Sequence, residues 1–476
     1  MTEKQKMLHL PFLLLFLVLG SHLCAQTPAQ VSIRLTHPAG SARWERQPDI
    51  PLWDSAPSTG KNERIDIDPG TQFQSMEGFG FTLTGGSAQL LRRMSAPARA
   101  QLLRELFATD GTNIGVSFLR ISVGASDLND RIFTYNDLPK GQTDPEMKRF
   151  SLDPDRADLL PVLQEILHIQ PTLKIMASPW TAPSWMKTEF DSKGGSLERE
   201  WFGAYARYLT TYVRAMQKEG IQLHSLTIQN EPLNADNNPS MYMSAADQTV
   251  FIRDHLGQAF QSASLTTRIV CYDHNADQPD YPLTVLADPQ AKAFVEGSAF
   301  HLYAGQIEAI EQVHTAHPDR SLYFTEQWTG APGNFAGDLS WHIQHILVGA
   351  SRHWCRAVLE WNLAADPNNR PHTDRGGCER CLGALTLDGD KVVRNTAWYV
   401  IAHASREVRP GSVRIASTAS KTAPNVAFQT PDGRHVLIAL NPGKSPRTLD
   451  VRTGIHGFTT TLPAGAVATC TWPGKR

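Results

Sequence analysis

Leu223-His-Ser-Leu-Thr-Ile-Gln-Asn-Glu-Pro232 is a short, largely apolar run that ends in an amide, a carboxylate and a proline. Runs of this length, bounded by loop residues, are typical of buried strands. Eight of them recur along the middle of the chain, and they predict eight strands: Gly78–Thr84, Val116–Ser122, Leu173–Ser178, Leu223–Gln229, Arg268–Tyr272, Ser298–Leu302, Leu322–Thr325 and Ala357–Trp361.

Amphipathic segments separate these strands. Apolar residues from Leu159 to Leu167 recur at the spacing of one helical face, and we expect Asp153-Pro154 to cap and begin that helix. Another helix is expected from Glu198 to Glu219, and two more from about Ser95 and Ser244.

Eight strands that alternate with helices favour a closed (β/α)8 TIM barrel over an open sheet. A doubly wound open sheet would carry a G-x-G-x-x-G phosphate turn after its first strand. The glycines of Gly78–Gly86 lie within and after that strand and lack this spacing. We therefore predict an α/β barrel over residues 77–404.

The flanking segments alternate apolar with polar residues, as strands of a β-sandwich do. The strands predicted there are Val31–Leu35, Arg64–Ile67, Val413–Ile415, Asn425–Gln429, Val436–Leu440 and Phe458–Leu462. We predict that an N-terminal piece (residues 26–76) and a C-terminal piece (residues 405–476) together form one side β-sandwich.

Composition limits the partners of the chain. It has 476 residues, of which 45 are basic and 47 acidic, for a net charge of -2. Since this balance creates no bulk positive field, we expect no nucleic acid partner.

Residues 1–25 have the pattern of a secretory signal peptide. Lys4 and Lys6 precede the apolar run Met7–Gly20, and small residues lead to a cut after Ala25. The run is shorter than the ~20 residues that cross a bilayer, so a retained membrane anchor is the weaker alternative. We expect an exported protein, periplasmic or secreted, with no transmembrane segment in the mature chain.

The cysteines do not form a disulfide framework, because five remain after Cys24 is removed with the signal. Cys378-Glu-Arg-Cys381 lacks two further ligands at the spacing of a zinc site. We expect a local disulfide there if the compartment is oxidising, and a reduced pair stays open as the alternative.

Two predicted strands of the barrel end in glutamate. Glu231 follows the fourth strand and Glu326 ends the seventh, at the barrel face that carries the active sites of such folds. Two facing carboxyl groups are what glycoside hydrolysis needs, one protonated to assist the leaving oxygen and one ionised to attack the anomeric carbon. Asn230 precedes Glu231 and can hydrogen-bond a sugar hydroxyl.

Aromatic residues stand at the same strand ends. Trp180 follows the third strand, Tyr303 the sixth and Trp328 the seventh, while Trp361 ends the eighth. Apolar faces of sugars lie on aromatic rings, and a few polar groups fix their orientation. Asp127, after the second strand, is a candidate acceptor for a sugar hydroxyl.

These motifs together resemble family 30 of the glycoside hydrolases, the family of lysosomal glucosylceramidase and bacterial β-1,6-glucanases. The matching stretches are Ile114–Arg120 with Ala125–Asp127, Ala177–Trp185, Gln229–Pro232, His301–Tyr303, Phe324–Glu326 and Glu360–Ala364. The resemblance implies the same barrel with a side sandwich, no cofactor, and a β-linked glucoside or glucan as substrate.

The resemblance also implies roles for single residues. Glu231 resembles the acid/base, Glu326 the nucleophile, and Asn230 the asparagine that contacts the neighbouring sugar hydroxyl. Tyr303 and Arg120 resemble groups beside the nucleophile. Asp127, Trp180 and Trp361 resemble residues that hold the terminal glucose. The segments Gln327–Gly330 and Asp366–Gly383 differ from the animal glucosylceramidases, which favours glucan substrates.

The expected mechanism is double displacement with retention. We expect the ionised Glu326 to raise the pKa of Glu231, which must carry a proton until it is used. Among the other acids, Glu77 is expected to be structural, Glu360 to point away from the site, and Asp273 to line the mouth of the barrel.

We expect no metal, because His301, His342, His345 and His353 are joined by no carboxylate cluster in the sequence. A xylanase or β-fucosidase of the same family is the alternative enzyme. A non-catalytic sugar-binding barrel is the alternative of another class, and it would be expected to lack one of the two glutamates.

Overall fold

A computed structural model describes residues 29–54 and 62–474 of the chain. The predicted signal peptide and its cleavage site lie outside these residues. Eight parallel strands close into a barrel in the described part: β1 (Gly78–Thr82), β2 (Phe118–Val123), β3 (Lys174–Pro179), β4 (Ser225–Thr227), β5 (Arg268–Asn275), β6 (Val295–His301), β7 (Ser321–Glu326) and β8 (Cys355–Asn362).

Helices surround the barrel. They are Gly85–Arg93, Ala96–Phe107, Leu159–Ile169, Phe202–Lys218, Ala245–Phe251 continued by Gly257–Ser262, Asp280–Ala287, Pro289–Lys292, Glu311–Ala316, Phe335–Trp341 and Thr396–Ser405. Two π-helical stretches, Ile252–Leu256 and His342–Ala350, extend the helices before them. In the described part of the chain, no helix is long and apolar enough to cross a membrane.

Several helix boundaries follow from local chemistry. The hydroxyls of Ser95 and Ser244 accept hydrogen bonds from the backbone amides of Ala98 and Asp247, as N-caps do. Asp153 does not begin the α-helix as expected, since Asp153–Asp155 forms one 3₁₀ turn and the α-helix starts at Leu159.

The side β-sandwich is built from both ends of the chain, as predicted. Its strands follow one path of neighbours: Glu45–Arg46, Gln30–Thr36, Val467–Pro473, Arg434–Leu440, Asn425–Gln429, Val413–Ser417, Glu63–Ser75, Arg447–Thr453 and His456–Leu462. Ile33, Ile65, Leu437 and Trp472 share its apolar core although they come from opposite ends of the chain. The predicted fold class is therefore confirmed.

The barrel interior is filled with side chains rather than open. Phe118, Met176, Val270 and Tyr323, which come from β2, β3, β5 and β7, belong to one inner apolar cluster. Below this cluster, at the end where the strands begin, the buried Glu77 forms ion pairs with four basic side chains. They lie at or next to the starts of four different strands: Lys174, His224, Arg268 and Arg356. This closes the floor and leaves the opposite end for a site.

Candidate active site

A cavity of about 720 Å³ opens where the barrel strands end. The residues that line it come from several strand ends and the loops after them: Asp127, Glu231, Leu233, Asn234, Asp236, Asn237, His274, Asn275, Tyr303, Glu326, Trp328, Trp361, Gly376, Cys378 and Cys381. Several carboxyl groups beside aromatic rings give this cavity the chemistry of a carbohydrate site.

Glu231 and Glu326 face each other in this cavity. One carboxylate oxygen of each and a ring nitrogen of His301 all lie within 4.8 Å of one another. Glu231 follows β4 with its backbone in the left-handed region (φ 46°), a conformation that costs energy for a residue with a side chain. Its backbone amide donates to the carbonyl of Asp273 at 2.9 Å, which holds the turn in place.

Glu326 is held by two donors of fixed protonation. Arg120 Nη1 donates to its Oε2 at 2.5 Å, and the Tyr303 hydroxyl donates to its Oε1 at 2.9 Å. Burial raises the pKa of Glu326 above its ordinary value, although the charges of His301 and Arg120 oppose the rise. Since a guanidinium does not lose its proton, Arg120 keeps a positive charge on this carboxylate at any physiological pH.

Glu231 contacts a titratable partner instead. His301 Nδ1 lies 3.3 Å from its Oε1, and Asn234 Nδ2 donates to its Oε2 at 2.7 Å. Burial raises the pKa of Glu231, but His301, His274 and Asn234 outweigh burial and lower the pKa to about 2. The expectation of a raised pKa for Glu231 is wrong, because it left out the nearby imidazoles of His301 and His274.

Asp273 lies beneath the cavity rather than at the mouth, which corrects the sequence prediction. It is fully buried, its Oδ2 accepts from Arg120 Nη2 at 2.8 Å, and its Oδ1 lies 3.1 Å from His301 Nε2. Hydroxyls of Ser178, Thr227 and Thr325 also donate to it. Asp273 thus fixes both Arg120 and His301 from below.

Three of the predicted substrate residues lie behind the lining of the cavity. Asn230 Oδ1 accepts from Arg120 Nη2 at 2.6 Å. Trp180 is buried, stacks on Trp361 at 5.5 Å between ring centroids, and lies 4.8 Å below the Arg120 guanidinium. Contact of Asn230, Trp180 and Arg120 with a sugar stays a prediction.

The other predicted residues line the cavity directly. Trp361, Trp328 and Asp127 lie there beside Cys378 and Cys381, which form a disulfide. Burial, together with the Glu326 and Glu231 carboxylates, raises the pKa of Asp127 to about 8. Asp127 is therefore mostly protonated at neutral pH and can both donate to and accept from a hydroxyl.

The cluster of Glu231, His301 and Glu326 offers three ligand atoms of the kind that metals bind. However, Arg120 already neutralises Glu326, and a divalent ion beside a guanidinium is electrostatically disfavoured. The absence of a metal stays a prediction.

Sequence reasoning missed His301 as a member of the site. It regarded the residue as a core or surface histidine without carboxylates, whereas the structure surrounds it with Glu231, Asp273 and Glu326. Its position at the end of β6, two residues before Tyr303, is the signal that identifies it. Glu360 lies as expected, since it points away from the cavity to His342 Nδ1 at 2.8 Å.

Comparison with known families agrees with this geometry. Residues 76–408 match the family described as Glycosyl hydrolase family 30 TIM-barrel domain. Residues 411–470 match the Glycosyl hydrolase family 30 beta sandwich domain. The two matches cover the barrel and the C-terminal part of the sandwich.

Individual relatives also match most of the chain. The chain is 32% identical over 394 residues to the endo-1,6-beta-D-glucanase neg1 of Aspergillus fumigatus, covering 77% of this chain and 78% of the relative. It is 26% identical to the lysosomal acid glucosylceramidase of Mus musculus, covering 87% and 84%. Among solved structures, the endo-beta1,6-glucanase BT3312 superposes with a TM-score of 0.86 at 30% identity, covering 94% of this chain and 100% of that chain. On these matches, the chain belongs to glycosyl hydrolase family 30.

Proposed function

We propose that this chain is an exported, retaining hydrolase of β-glucosidic bonds, with Glu326 as nucleophile and Glu231 as acid/base. The observation that carries the proposal is the approach of the two carboxyl groups to within 4.8 Å. Retaining glycosidases hold their carboxyl groups about 5 Å apart, whereas inverting ones need about 6.5–9.5 Å to seat a water molecule.

The neighbours of each carboxyl group support these roles. Glu326 is paired with the permanently charged Arg120, so it is the group that remains ionised and attacks the anomeric carbon. Glu231 touches His301, which can give or take a proton, so it is the group whose protonation changes during the reaction.

His301 supplies the proton that the acid step needs. Burial lowers its pKa, but the carboxylates of Glu326, Asp273 and Glu231 raise it to about 9. At neutral pH the His301–Glu231 pair therefore holds one proton more than a neutral imidazole beside a carboxylate, and this proton resides mainly on the imidazole. As the glycosidic oxygen departs and gains charge, that proton passes through Glu231 to the oxygen, and the anomeric carbon forms an ester with Glu326.

The second step reverses the proton path. A water molecule attacks the anomeric carbon of the glycosyl-enzyme, and the Glu231–His301 pair takes its proton. The ester bond to Glu326 breaks, the sugar leaves with its original configuration, and Arg120 and Tyr303 receive the carboxylate again.

β-1,6-Linked glucan is the substrate class that the relatives favour. Three fungal relatives at 31–32% identity are described as endo-1,6-beta-D-glucanases, whereas the glucosylceramidases match at 25–28%. Product analysis on β-1,6-glucan, glucosylceramide and xylan tests this choice. We expect gluco-oligosaccharides or glucose from the β-1,6-glucan; cleavage of xylan alone would contradict the proposal.

Export is proposed from the sequence of residues 1–25 and fits the Cys378–Cys381 disulfide, which persists in oxidising compartments. N-terminal sequencing of the protein recovered outside the cytoplasm tests it. We expect the mature chain to begin at Gln26, and an intact Met1 would contradict export with cleavage.

A further inference from the structure

Residues Asp366–Gly383 form a loop after β8 that we call the disulfide loop. Its two cysteines, Cys378 and Cys381, are bonded to each other and both line the cavity beside Asp127. A disulfide that faces a substrate cavity is placed to shape that cavity rather than to stabilise the whole fold.

We infer that the Cys378–Cys381 disulfide is a positioning element for Asp127, which holds the carboxyl group of Asp127 in the geometry that receives a sugar hydroxyl. The inference rests on the proposed function, because it assigns Asp127 to substrate. It makes affinity for substrate depend on the oxidation state of the pair.

The disulfide loop binds the main chain of Asp127 and lies beside its side chain in the cavity lining. The backbone amide of Thr373 donates to the backbone carbonyl of Asp127 at 2.8 Å. Burial dominates the raised pKa of Asp127, and the nearby backbone of Cys378 opposes that rise, as expected for a residue that lies beside the carboxyl group in the cavity lining. Because Cys378 is itself a disulfide partner, the conformation of its amide is tied to the bond with Cys381.

Cys381 provides the fixed side of the bridge. It is buried in a small apolar cluster with Leu128, Trp180 and Trp361, against which Cys378 and Trp328 also pack. Its strand, Cys381–Leu382, pairs with Thr329–Gly330 from the loop after the strand of Glu326. The bond therefore couples Cys378 to the wall that carries two cavity tryptophans.

The outer part of the disulfide loop has anchors of its own. Asn238 Nδ2 donates to the Asp374 carbonyl at 2.8 Å, and Arg375 forms an ion pair with Asp191 at 2.8 Å. Opening the disulfide should therefore release mainly the segment around Cys378. A ring closed over a sequence separation of 3 residues also restricts the unfolded chain far less than a long one, so its effect on global stability is small.

Reduction is chemically balanced with a dithiol reagent such as dithiothreitol. The reagent supplies two electrons and two protons, the bond between Cys378 and Cys381 breaks, two thiols form, and the reagent closes into its own cyclic disulfide. The buried Cys271, Cys355 and Cys470 are free thiols already and gain nothing from this treatment.

The test compares the wild type, the C378S/C381S double variant, D127A, and the triple variant that combines all three changes. We expect KM for an aryl β-glucoside to rise about tenfold in C378S/C381S, equal to one hydrogen bond of about 1.4 kcal/mol, with kcat changed less than about threefold. The melting temperature should change little. In the D127A background the same cysteine replacement should alter KM less than about twofold.

Dithiothreitol provides the second readout. It should raise KM of the wild type reversibly and leave the C378S/C381S variant unchanged. The dithiothreitol experiment on the wild type tests the role of the disulfide even if the C378S/C381S variant folds poorly. An unchanged KM in reduced wild type, or an equal loss with and without Asp127, overturns the inference.

Failure of the proposed function has a different outcome. If the oxidised wild type hydrolyses no β-glucoside, the assignment of the substrate fails. If the oxidised wild type hydrolyses β-glucosides and the C378S/C381S variant has the same KM, the proposed function stands and only the positioning role of the disulfide fails.

Discussion

Replacing His301 by glutamine should lower the alkaline limit of activity. His301 is buried between two carboxyl groups, with Nδ1 3.3 Å from Glu231 Oε1 and Nε2 3.1 Å from Asp273 Oδ1. Glutamine can keep a hydrogen bond to one of them but cannot carry a proton. The variant therefore removes the proton store and leaves both catalytic carboxyl groups in place.

The size of the effect follows from the pKa of His301. Its rise from 6.5 to about 9 corresponds to ~3 kcal/mol of preferential interaction with the imidazolium, at about 1.36 kcal/mol per pH unit. In the wild type, kcat/KM should fall about tenfold per pH unit above about pH 9. In the variant, Glu231 must hold the proton alone. A carboxyl group with an ordinary pKa of 4.5 would need a rise of more than four units to match this limit.

The assay is the pH dependence of kcat/KM from about pH 5 to about pH 10 with two substrates. Phenyl β-glucoside has a poor leaving group and needs the acid, whereas 2,4-dinitrophenyl β-glucoside does not. We expect the alkaline limit on the phenyl substrate to drop by at least one pH unit in H301Q. The dinitrophenyl substrate should lack this limit in both proteins.

Stability gives an independent check. A folded-state pKa raised above the unfolded value contributes stability that is complete below about pH 6.5 and is lost as pH rises through about 9. Urea titrations should therefore show H301Q less stable than the wild type at pH 6, with a gap that closes above pH 9. An alkaline limit that stays near pH 9 in H301Q would refute the proton-store reasoning.

Other predictions concern the remaining charged groups. E231Q should lower kcat on the phenyl substrate at least 100-fold, because this leaving group needs the acid. On the dinitrophenyl substrate, kcat/KM reports the glycosylation step and should fall less than tenfold. Equal losses on both substrates would contradict the role of Glu231 as acid. Y303F removes a donor 2.9 Å from Glu326, so the pKa of Glu326 should rise and the acid limit of kcat/KM should move to higher pH; an unmoved limit would exclude this contact. Burial raises the pKa of Glu77, but His224, Lys174 and Arg356 lower it from 4.5 to about 2. E77Q should therefore lose ~3 kcal/mol of stability in urea at pH 7, a difference that shrinks as pH falls from about 4.5 to 2. A difference at pH 7 that is negligible would show that Glu77 does not hold the floor of the barrel.

The strands that were predicted from the sequence are those with a clear apolar run. The eight barrel strands are short apolar runs, and the sandwich strands at Asn425–Gln429 and Arg434–Leu440 are also short apolar runs with polar residues at their starts. Arg447–Thr453 was missed because charged residues at both ends and Asp450 within it obscure the alternation. It is a strand because it pairs in parallel with Glu63–Ser75, a partner far away in sequence.

The site was predictable where strand ends carry diagnostic residues and unpredictable where packing turns a side chain. Asp273 was expected at the mouth, but Tyr272 and Asp273 have positive φ and the pairing of β5 with β6 shifts register nearby. These distortions direct Asp273 inward to Arg120 and His301. The lowered pKa of Glu231 depends on that same arrangement of neighbours, which a single sequence does not display.

Trapping the glycosyl-enzyme tests the central claim most directly. A 2,4-dinitrophenyl 2-deoxy-2-fluoro-β-glucoside forms the ester readily but is released slowly, so peptide mapping by mass spectrometry can locate the labelled residue. We expect one label per chain on Glu326, with E326Q unlabelled and inactive, and the β-anomer as the first product seen by NMR. A label on another residue, or an α-anomer as first product, would contradict the account.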